Sequence, residues 1–338
     1  MVPVRLTSLK GVDLNVFRFD YDLTFALVLI DPRTEGTIAR YGARDGASAT
    51  DRLSVPGLTR SLRAAVAHMR GKTPAPAPRR PARTVADAFP VFAGTKRAGE
   101  ACYHCHYAHD AALAQARADG TFAKAMLFRY PLPESVGITL DVNRGNVVRT
   151  VLAGSPAATA GVRPGDMIRR AEDTAVFSSA DLQWALDPIP DGGGTVRLSL
   201  ERAGKPVAAT LKTAPGWRRA GVDISWRPSQ GSVPPILGLW EKPLTAEEKE
   251  GLGIAADRLA LKVNFLFPGE KWKAARGGLR MNDVIVAVGG KELPEMTPRQ
   301  FHAWFRLNYD VGQTATFTVL RAGKRIDVAV PCVDVGLE

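Results

Sequence analysis

Residues 155–168 read SPAATAGVRPGDMI, and this stretch decides the fold of the chain's second half. Ser155 is suited to cap a short helix, and Gly161 is suited to end it. The P-G-D of residues 164–166 predicts a tight turn that leads into the apolar strand behind it. The stretch therefore predicts a compact helix-turn-strand unit.

The same landmarks recur further along the chain. GVRPGDMI at 161–168 returns as GLRMNDVI at 278–285, and RAGK at 202–205 returns as RAGK at 321–324. Landmarks that repeat in the same order at a near-constant offset indicate repeated structural units. The sequence therefore predicts a duplicated domain.

The order of strand, short helix, turn, strand, helix and hairpin resembles a bacterial PDZ domain over residues 134–215. A second, divergent copy is expected over residues 233–333, where Asn282 replaces the turn glycine and residues 244–256 form an extra helical stretch. PDZ domains bind extended peptides by adding a strand to a sheet edge, and they hold a C-terminal carboxylate with backbone amides. The resemblance implies an α+β fold whose partners are protein C-termini or extended peptides.

The resemblance also places the peptide-binding residues on two loops and the strands that follow them. These residues are Val136, Gly137, Ile138, Thr139 and Leu140 in the first copy, and Leu237, Gly238 and Leu239 in the second. The intact motif of the first copy predicts that it binds peptides more readily than the second. The alternative is that segments of the chain itself fill both grooves.

Bacterial PDZ domains often accompany trypsin-like proteases, whose serine lies in a G-x-S-G-G turn. This sequence contains no such turn, and no Ser-His-Asp set can be assembled from it. The sequence therefore favours a binding protein without peptidase activity of its own.

Residues 102–109 read CYHCHYAH and hold three of the five histidines and two of the three cysteines. C-x-x-C-H is the attachment motif of haem c, with Cys102 and Cys105 bonded to the porphyrin and His106 as the axial ligand. Met126 and His109 are the two candidates for the sixth ligand.

Two other interpretations of this cluster remain open from the sequence. In one of them, two thiolates with His104, His106 or His109 bind zinc or copper, or the two thiols form a reversible dithiol. The third interpretation is a purely structural disulfide between Cys102 and Cys105.

Residues 1–70 contain strand and hairpin patterns followed by an amphipathic helix from Leu58 to Met69. This order resembles the C-terminal half of a thioredoxin fold, with Val2–Leu6 as a further strand. A Pro-rich linker over 71–84 and a short helical segment with the C-x-x-C-H motif over 85–133 are expected to follow.

The whole arrangement, with FDYDLT at 19–24 and CYHCH at 102–106, resembles bacterial thioredoxin-like/PDZ (seleno)proteins. Members of that family carry a redox motif upstream of the point that corresponds to Met1, so the start of this chain looks truncated. The resemblance implies a PDZ scaffold with a redox or haem element. The alternative is a thiol or selenol oxidoreductase whose active-site motif lies before Met1.

The chain has 338 residues, 45 Lys and Arg against 34 Asp and Glu, and a net charge of +11. The basic residues are scattered and follow no zinc-finger or aromatic-basic pattern, so we expect no nucleic-acid partner. No apolar run approaches the roughly 20 residues of a membrane span. The first residues lack a signal-peptide pattern, so the chain as written looks cytoplasmic, whereas a longer form with a signal would be periplasmic.

Overall fold

The computed structural model describes residues 1–70, 80–219 and 221–336. The chain divides into two compact units, Met1–Asp223 and Ile224–Glu338. Among the described residues, no helix is both long enough and apolar enough to cross a membrane.

The first unit begins with a hairpin and a helix. β1 (Leu27–Asp31) and β2 (Gly36–Tyr41) pair antiparallel in a two-stranded sheet of their own, and α1 (Val55–Arg70) packs on β2. The stretch Val2–Leu6 forms no strand. The prediction of a thioredoxin-like unit is therefore wrong. A lone two-stranded sheet is marginal in water, and this one is stabilised by packing within a larger unit.

Three short helices follow: α2 (Val85–Ala88), α3 (Pro90–Ala93) and α4 (Tyr107–Ala118). Thr84 begins α2 with a capping box, because its side chain accepts the Asp87 amide while Asp87 accepts the Thr84 amide. Phe92 is fully buried, and its ring contacts those of Tyr103 and Tyr107. Most of the linker expected over 71–84 lies outside the described residues.

The rest of the first unit surrounds the SPAATAGVRPGD stretch. Its elements are β3 (Ile138–Leu140), β4 (Val148–Val151), α5 (Pro156–Thr159), β5 (Met167–Ala171), β6 (Thr174–Ala175), α6 (Ser179–Leu186), β7 (Gly194–Arg202) and β8 (Lys205–Thr213). β3 pairs with β4, and the other strands form a sheet in the order β6-β5-β7-β8. Ser155 caps α5 as expected, by accepting the Ala158 amide. Fully buried Ile138, Leu182 and Leu198 join the two sheets and α6 in one core.

The second unit repeats this order of elements. They are β9 (Leu239–Pro243), α7 (Ala246–Gly251), β10 (Leu261–Leu266), α8 (Glu270–Arg276), β11 (Val284–Val288), β12 (Lys291–Glu292), α9 (Pro298–Asn308), β13 (Thr314–Arg321) and β14 (Lys324–Pro331). The sheet order is β14-β13-β11-β10-β9, and β12 pairs with β11. α7 is the one addition among the described residues, and it lies within the helical stretch expected over 244–256. The core contains the fully buried rings of Phe301, Phe305 and Phe317.

A buried aspartate holds the turn before the central strand of each unit. Asp166 accepts the Nε–H of Arg202 at 2.7 Å, and Asp283 accepts the Nε–H of Arg321 at the same distance. Each carboxylate is 1 % exposed, and each also accepts the backbone amide three residues before it. The repeated G-x-x-x-x-D and R-A-G-K landmarks therefore produce the same bonded corner twice.

Candidate peptide-binding site

The loop before β3 is shaped by one glycine. A 3-10 turn, Pro133–Val136, leads into Gly137, whose φ of 84° lies in the left-handed region. A Cβ at Gly137 would lie 2.1 Å from both Cβ and Oγ of Ser155, the cap of α5. Glycine is therefore required twice, by the backbone conformation and by the close approach of the loop to Ser155.

The predicted residues of this loop and strand present backbone rather than side chains. Val136 and Ile138 are fully buried in the core, Leu140 is 8 % exposed, and Thr139 is half-buried. β3 pairs with β4 along one edge, and its other edge has no strand partner among the described residues. An extended peptide would therefore meet main-chain groups of β3, as strand addition requires.

The first turn of helix α6 lines the same cavity as Leu140 of β3, and we name the space between β3 and α6 the first groove. Ser178 and Asp181 make a capping box that begins the helix. Gln183 is buried and donates from Nε2 to the Tyr130 carbonyl at 2.9 Å. The half-buried ring of Trp184 stacks on that of Tyr130, with the centroids 6.2 Å apart.

The N-terminal part of the chain lies against this helix. The Arg40 amide donates to Asp181 Oδ1 at 2.7 Å, and the Ser178 hydroxyl donates to the Arg40 carbonyl. The Arg40 guanidinium lies 3.7 Å from the centre of the Trp184 ring. Burial raises the pKa of Asp181 to about 7, although three backbone amides and the nearby Arg40 oppose that rise. Strand β2 is therefore fixed to the start of α6.

The residues after β2 cover one end of the groove. Tyr41 at the end of β2 and the next two residues, Gly42 and Ala43, line a cavity of about 30 Å³ together with Leu140 of β3 and the first turn of α6. Arg52 donates to Glu134, beside the Gly137 loop, at 2.7 Å, and to Asp45 at 2.6 Å. We name residues 40–52 the covering segment. These contacts place residues of the chain itself beside the first groove, while the expectation that such segments fill both grooves stays a prediction.

The second unit has a corresponding loop. Leu237 and Leu239 are fully buried, and Gly238 has a φ of 45°. A Cβ at Gly238 would lie 2.5 Å from the Trp272 carbonyl oxygen. β9 follows this loop and is the edge strand of its sheet, with β10 as its strand partner.

A buried polar bridge crosses from β9 to α9. His302 Nε2 lies 2.9 Å from Glu241 Oε2, and both side chains are less than a tenth exposed. Burial lowers the pKa of neighbouring Arg306 to about 10, while the charge of Glu241 acts in the opposite direction. The exposed ring of Trp240 lies beside His302, 5.6 Å between centroids. Sequence reasoning missed these groove residues, because no motif marks a pair that is brought together only by folding.

The C-x-x-C-H residues lie elsewhere in the first unit. Cys102 and Cys105 are both free cysteines with exposed side chains, and partial desolvation of the Cys105 thiol raises its pKa. His106 Nδ1 lies 3.0 Å from Asp110 Oδ2, which also accepts from Arg97 at 2.6 Å. Among the described residues, neither cysteine belongs to a set of three metal-ligating atoms.

The two proposed sixth ligands are placed differently. His109 is 2 % exposed and faces Asp22, with 3.2 Å between Nδ1 and Oδ2. Met126 lies half-buried on a 3-10 turn, Lys124–Leu127. The imidazole of His109 is thus engaged by aspartate rather than turned to the exposed cysteine pair.

Comparison with known proteins identifies the region around the first groove. Residues 135–213 match the PDZ domain family. The chain is 28% identical over 187 residues to a probable periplasmic serine endoprotease DegP-like of Hahella chejuensis, covering 54% of this chain and 37% of that one. It is 31% identical over 156 residues to the periplasmic pH-dependent serine endoprotease DegQ of Escherichia coli, covering 44% and 29%. The chain therefore contains a PDZ domain, and its relatives include HtrA/DegP-type proteases.

Two further proteins match a smaller share of this chain or match it with a low TM-score. A serine protease Do-like HtrA of Lactococcus lactis subsp. cremoris is 49% identical over 74 residues, 21% of this chain and 17% of that one. A solved HtrA-type protease, AlgW with decapeptide, is 18% identical with a TM-score of 0.25, covering 41% of this chain and 49% of that one. The chain thus spans well under half the length of the curated relatives it matches.

These relatives correct the sequence-based view of function. They are named as serine endoproteases, and none of the names above describes a thioredoxin, a selenoprotein or a haem protein. The prediction of a redox or haem c scaffold at C-x-x-C-H is therefore wrong, as is its oxidoreductase alternative. The PDZ domain over the first copy was predicted correctly from its motif.

Proposed function

We propose that this chain is a peptide-binding PDZ protein that acts together with a serine protease of the HtrA type. The observation that carries the proposal is the PDZ match over 135–213, which coincides with a Gly137 loop and with strand β3, one edge of which has no strand partner in the described part of the chain. A loop of this kind before a free strand edge is suited to an extended peptide that ends in a carboxylate. The ligand is therefore the C-terminus of another protein chain.

The second unit acts in this proposal as a second, divergent PDZ-like domain over 233–333. Its order of elements and its Asp283–Arg321 corner support this view, because both repeat those of the first unit. The buried Glu241–His302 bridge joins β9 to α9, and we infer that it opposes entry of a peptide between these two elements. The first groove is therefore the main peptide site.

The site of action is outside the cytoplasm. Two of the relatives carry the word periplasmic in their names, which supports this location. Misfolded or cleaved proteins there expose C-termini, which are the ligand class that the loop suits. A chain that binds such ends presents them to a protease, and the match to HtrA/DegP-type relatives supports that role.

The covering segment sets how readily the first groove takes a peptide. Arg52 pairs with Glu134 beside the loop, and residues 41–43 line the same cavity as Leu140 of β3 and the first turn of α6. A peptide that binds with more than its last few residues must displace these contacts. Binding then follows the population of the uncovered state.

Fluorescence anisotropy with a labelled, apolar C-terminal decapeptide tests this function on the full chain. We expect saturable binding and at least a tenfold weakening when the same peptide is amidated at its C-terminus. The amidated peptide is the matched control, because it differs only in the carboxylate. Equal binding of both peptides, or no binding of either at millimolar peptide, would contradict the proposal.

A further inference from the structure

A second polar centre lies in the first unit, away from the groove. Asp20, Asp22 and His109 come from chain segments almost ninety positions apart, and all three are at most 4 % exposed. Each offers one ligand atom, and the three atoms lie within 4.8 Å of one another. Three potential metal ligands thus converge at a buried point.

Local structure fixes each of the three side chains. The Asp22 amide donates to Asp20 Oδ1 at 3.2 Å, and the Leu23 amide donates to the Asp20 carbonyl at 3.3 Å, so the two aspartates share one tight turn. His109 lies in the first turns of α4, which is buried along much of its length. The rings of Tyr21 and Tyr130 flank His109, with centroids 5.3 and 6.2 Å away.

The distances suit a metal ion better than a single hydrogen bond. His109 Nδ1 lies 3.2 Å from Asp22 Oδ2 and 3.8 Å from Asp20 Oδ1. His109 Nδ1 carries at most one proton and can donate to only one of the two carboxylates, and 3.2 Å is the long end of the N–H···O range. Ligand atoms about 2.0–2.2 Å from a zinc ion stand roughly 3–4 Å from one another in a tetrahedral arrangement. Both separations of His109 Nδ1 from the carboxylates fall in that range.

We propose that Asp20, Asp22 and His109 bind a divalent transition-metal ion, with zinc as the best fit. One imidazole nitrogen and two carboxylate oxygens form a donor set that zinc accepts. The ion joins the FDYDLT turn to helix α4 without using Cys102 or Cys105.

The test uses the full chain carrying Cys102→Ser and Cys105→Ser, so that the exposed thiols cannot bind the probe. After dialysis against a chelator, Zn²⁺ is added and the bound metal is counted by mass spectrometry of the digested protein. We expect one zinc per chain. We also expect His109→Gln and Asp22→Asn to weaken the affinity at least about tenfold, since each removes one of three ligands.

Asp110→Asn is the matched control, because Asp110 is equally buried on the same helix but faces His106 and Arg97. It should leave the zinc content at one per chain. A second readout needs no substitution at the proposed ligands. Co²⁺ is added to the thiol-free chain, in which Asp20, Asp22 and His109 are unchanged. Visible absorption bands of a four-coordinate cobalt site, without a thiolate charge-transfer band, support the proposal.

Three results would overturn the assignment. The first is less than about a tenth of a zinc ion per thiol-free chain. The second is zinc binding that survives both His109→Gln and Asp22→Asn unchanged. The third, which decides the matter even if those variants fail to fold, is a Co²⁺ spectrum of the hexa-aquo ion alone.

Discussion

Gly137 and Gly161 both adopt positive φ, but their surroundings differ. A Cβ at Gly137 would lie 2.1 Å from Ser155, whereas a Cβ at Gly161 would meet no atom within 4 Å. We expect Gly161→Ala to lower the free energy of unfolding by about 1–2 kcal/mol through backbone strain alone. Gly137→Ala adds steric overlap, for a total of about 2–5 kcal/mol.

Urea unfolding of both variants measures this difference. Gly161→Ala is the control for the left-handed backbone, so the excess loss in Gly137→Ala reports the contact with Ser155. Gly137→Ala should also weaken binding of the C-terminal decapeptide. Equal losses of stability in the two variants would show that the loop does not press against Ser155.

Asp166 and Arg202 form an ion pair at the corner before β5, and the Asp166 carboxylate is buried there. Burial acts to raise the pKa of Asp166, but the hydrogen bonds from Arg202 and from the Arg163 amide outweigh it and hold the pKa below its ordinary 3.8. The pair therefore stabilises the fold above pH 3.8, and that contribution is lost as the pH falls through the lowered pKa of the folded state.

We expect Arg202→Met to cost about 1–3 kcal/mol at pH 7, because it leaves the buried Asp166 carboxylate without its main partner. The loss should shrink as the pH falls below 3.8. Arg197→Met is the control, since Arg197 and Glu172 form a more exposed pair, and it should lower the free energy of unfolding less than Arg202→Met does. Denaturant titrations at pH 7 and at a pH below 3.8 measure these losses of stability. A loss from Arg202→Met that is the same at both pH values would contradict the prediction.

At the scale of elements, the proposed function implies that the covering segment and a bound peptide compete for the first groove. Arg52 and Glu134 are each about a quarter to a third exposed, so their ion pair contributes modestly, roughly 0.2–1 kcal/mol. We expect Arg52→Ala to strengthen decapeptide binding up to about fivefold, because the covered state loses that stabilisation. Arg169→Ala, which removes the exposed pair with Glu201, is the control and should leave the affinity unchanged. A weaker affinity in Arg52→Ala would mean that Arg52 helps to bind the peptide.

The elements of the duplicated region could be read from the sequence, because each rests on local chemistry. Ser155, Gly161 and Asp166 determine a cap, a helix end and a turn within a dozen residues. The covering segment could not be predicted, since its contacts join Arg40 to Asp181 across more than a hundred residues and depend on tertiary packing. The contact between Glu241 and His302 could not be predicted for the same reason, because only folding brings these two residues together.

The thioredoxin expectation failed for a related reason. Alternating apolar residues in 1–70 correctly indicated a hairpin and a helix, but the pattern does not say which surface these elements cover. In the structure, Phe19 packs on Tyr130 and Ala180 instead of completing a separate sheet.

At the scale of the whole molecule, the second unit and the N-terminal residues 1–70 differ in what they need in order to fold. Ile224–Glu338 contains its own core, with Phe301, Phe305 and Phe317 fully buried. We expect this unit, expressed alone, to unfold in one cooperative transition. Residues 1–70 expressed alone should remain unfolded, because Phe19 and Arg40 use partners beyond residue 120.

Circular dichroism and thermal melting of the two fragments measure these expectations. The second unit serves as the positive control for fragment expression. A cooperative melt of residues 1–70 would show that the hairpin and α1 are a domain in their own right. A non-cooperative second unit would show that its core needs the rest of the chain.

The most direct test of peptide binding in the first groove is hydrogen–deuterium exchange of the full chain, with and without the saturating C-terminal decapeptide. A peptide that adds a strand to β3 protects the amides of that strand and of the loop around Gly137 from exchange. The account predicts that the bound decapeptide slows amide exchange in residues 134–140 of the protein. It also predicts faster amide exchange in the covering segment, residues 40–52. Unchanged exchange in residues 134–140 while the decapeptide is bound would contradict it.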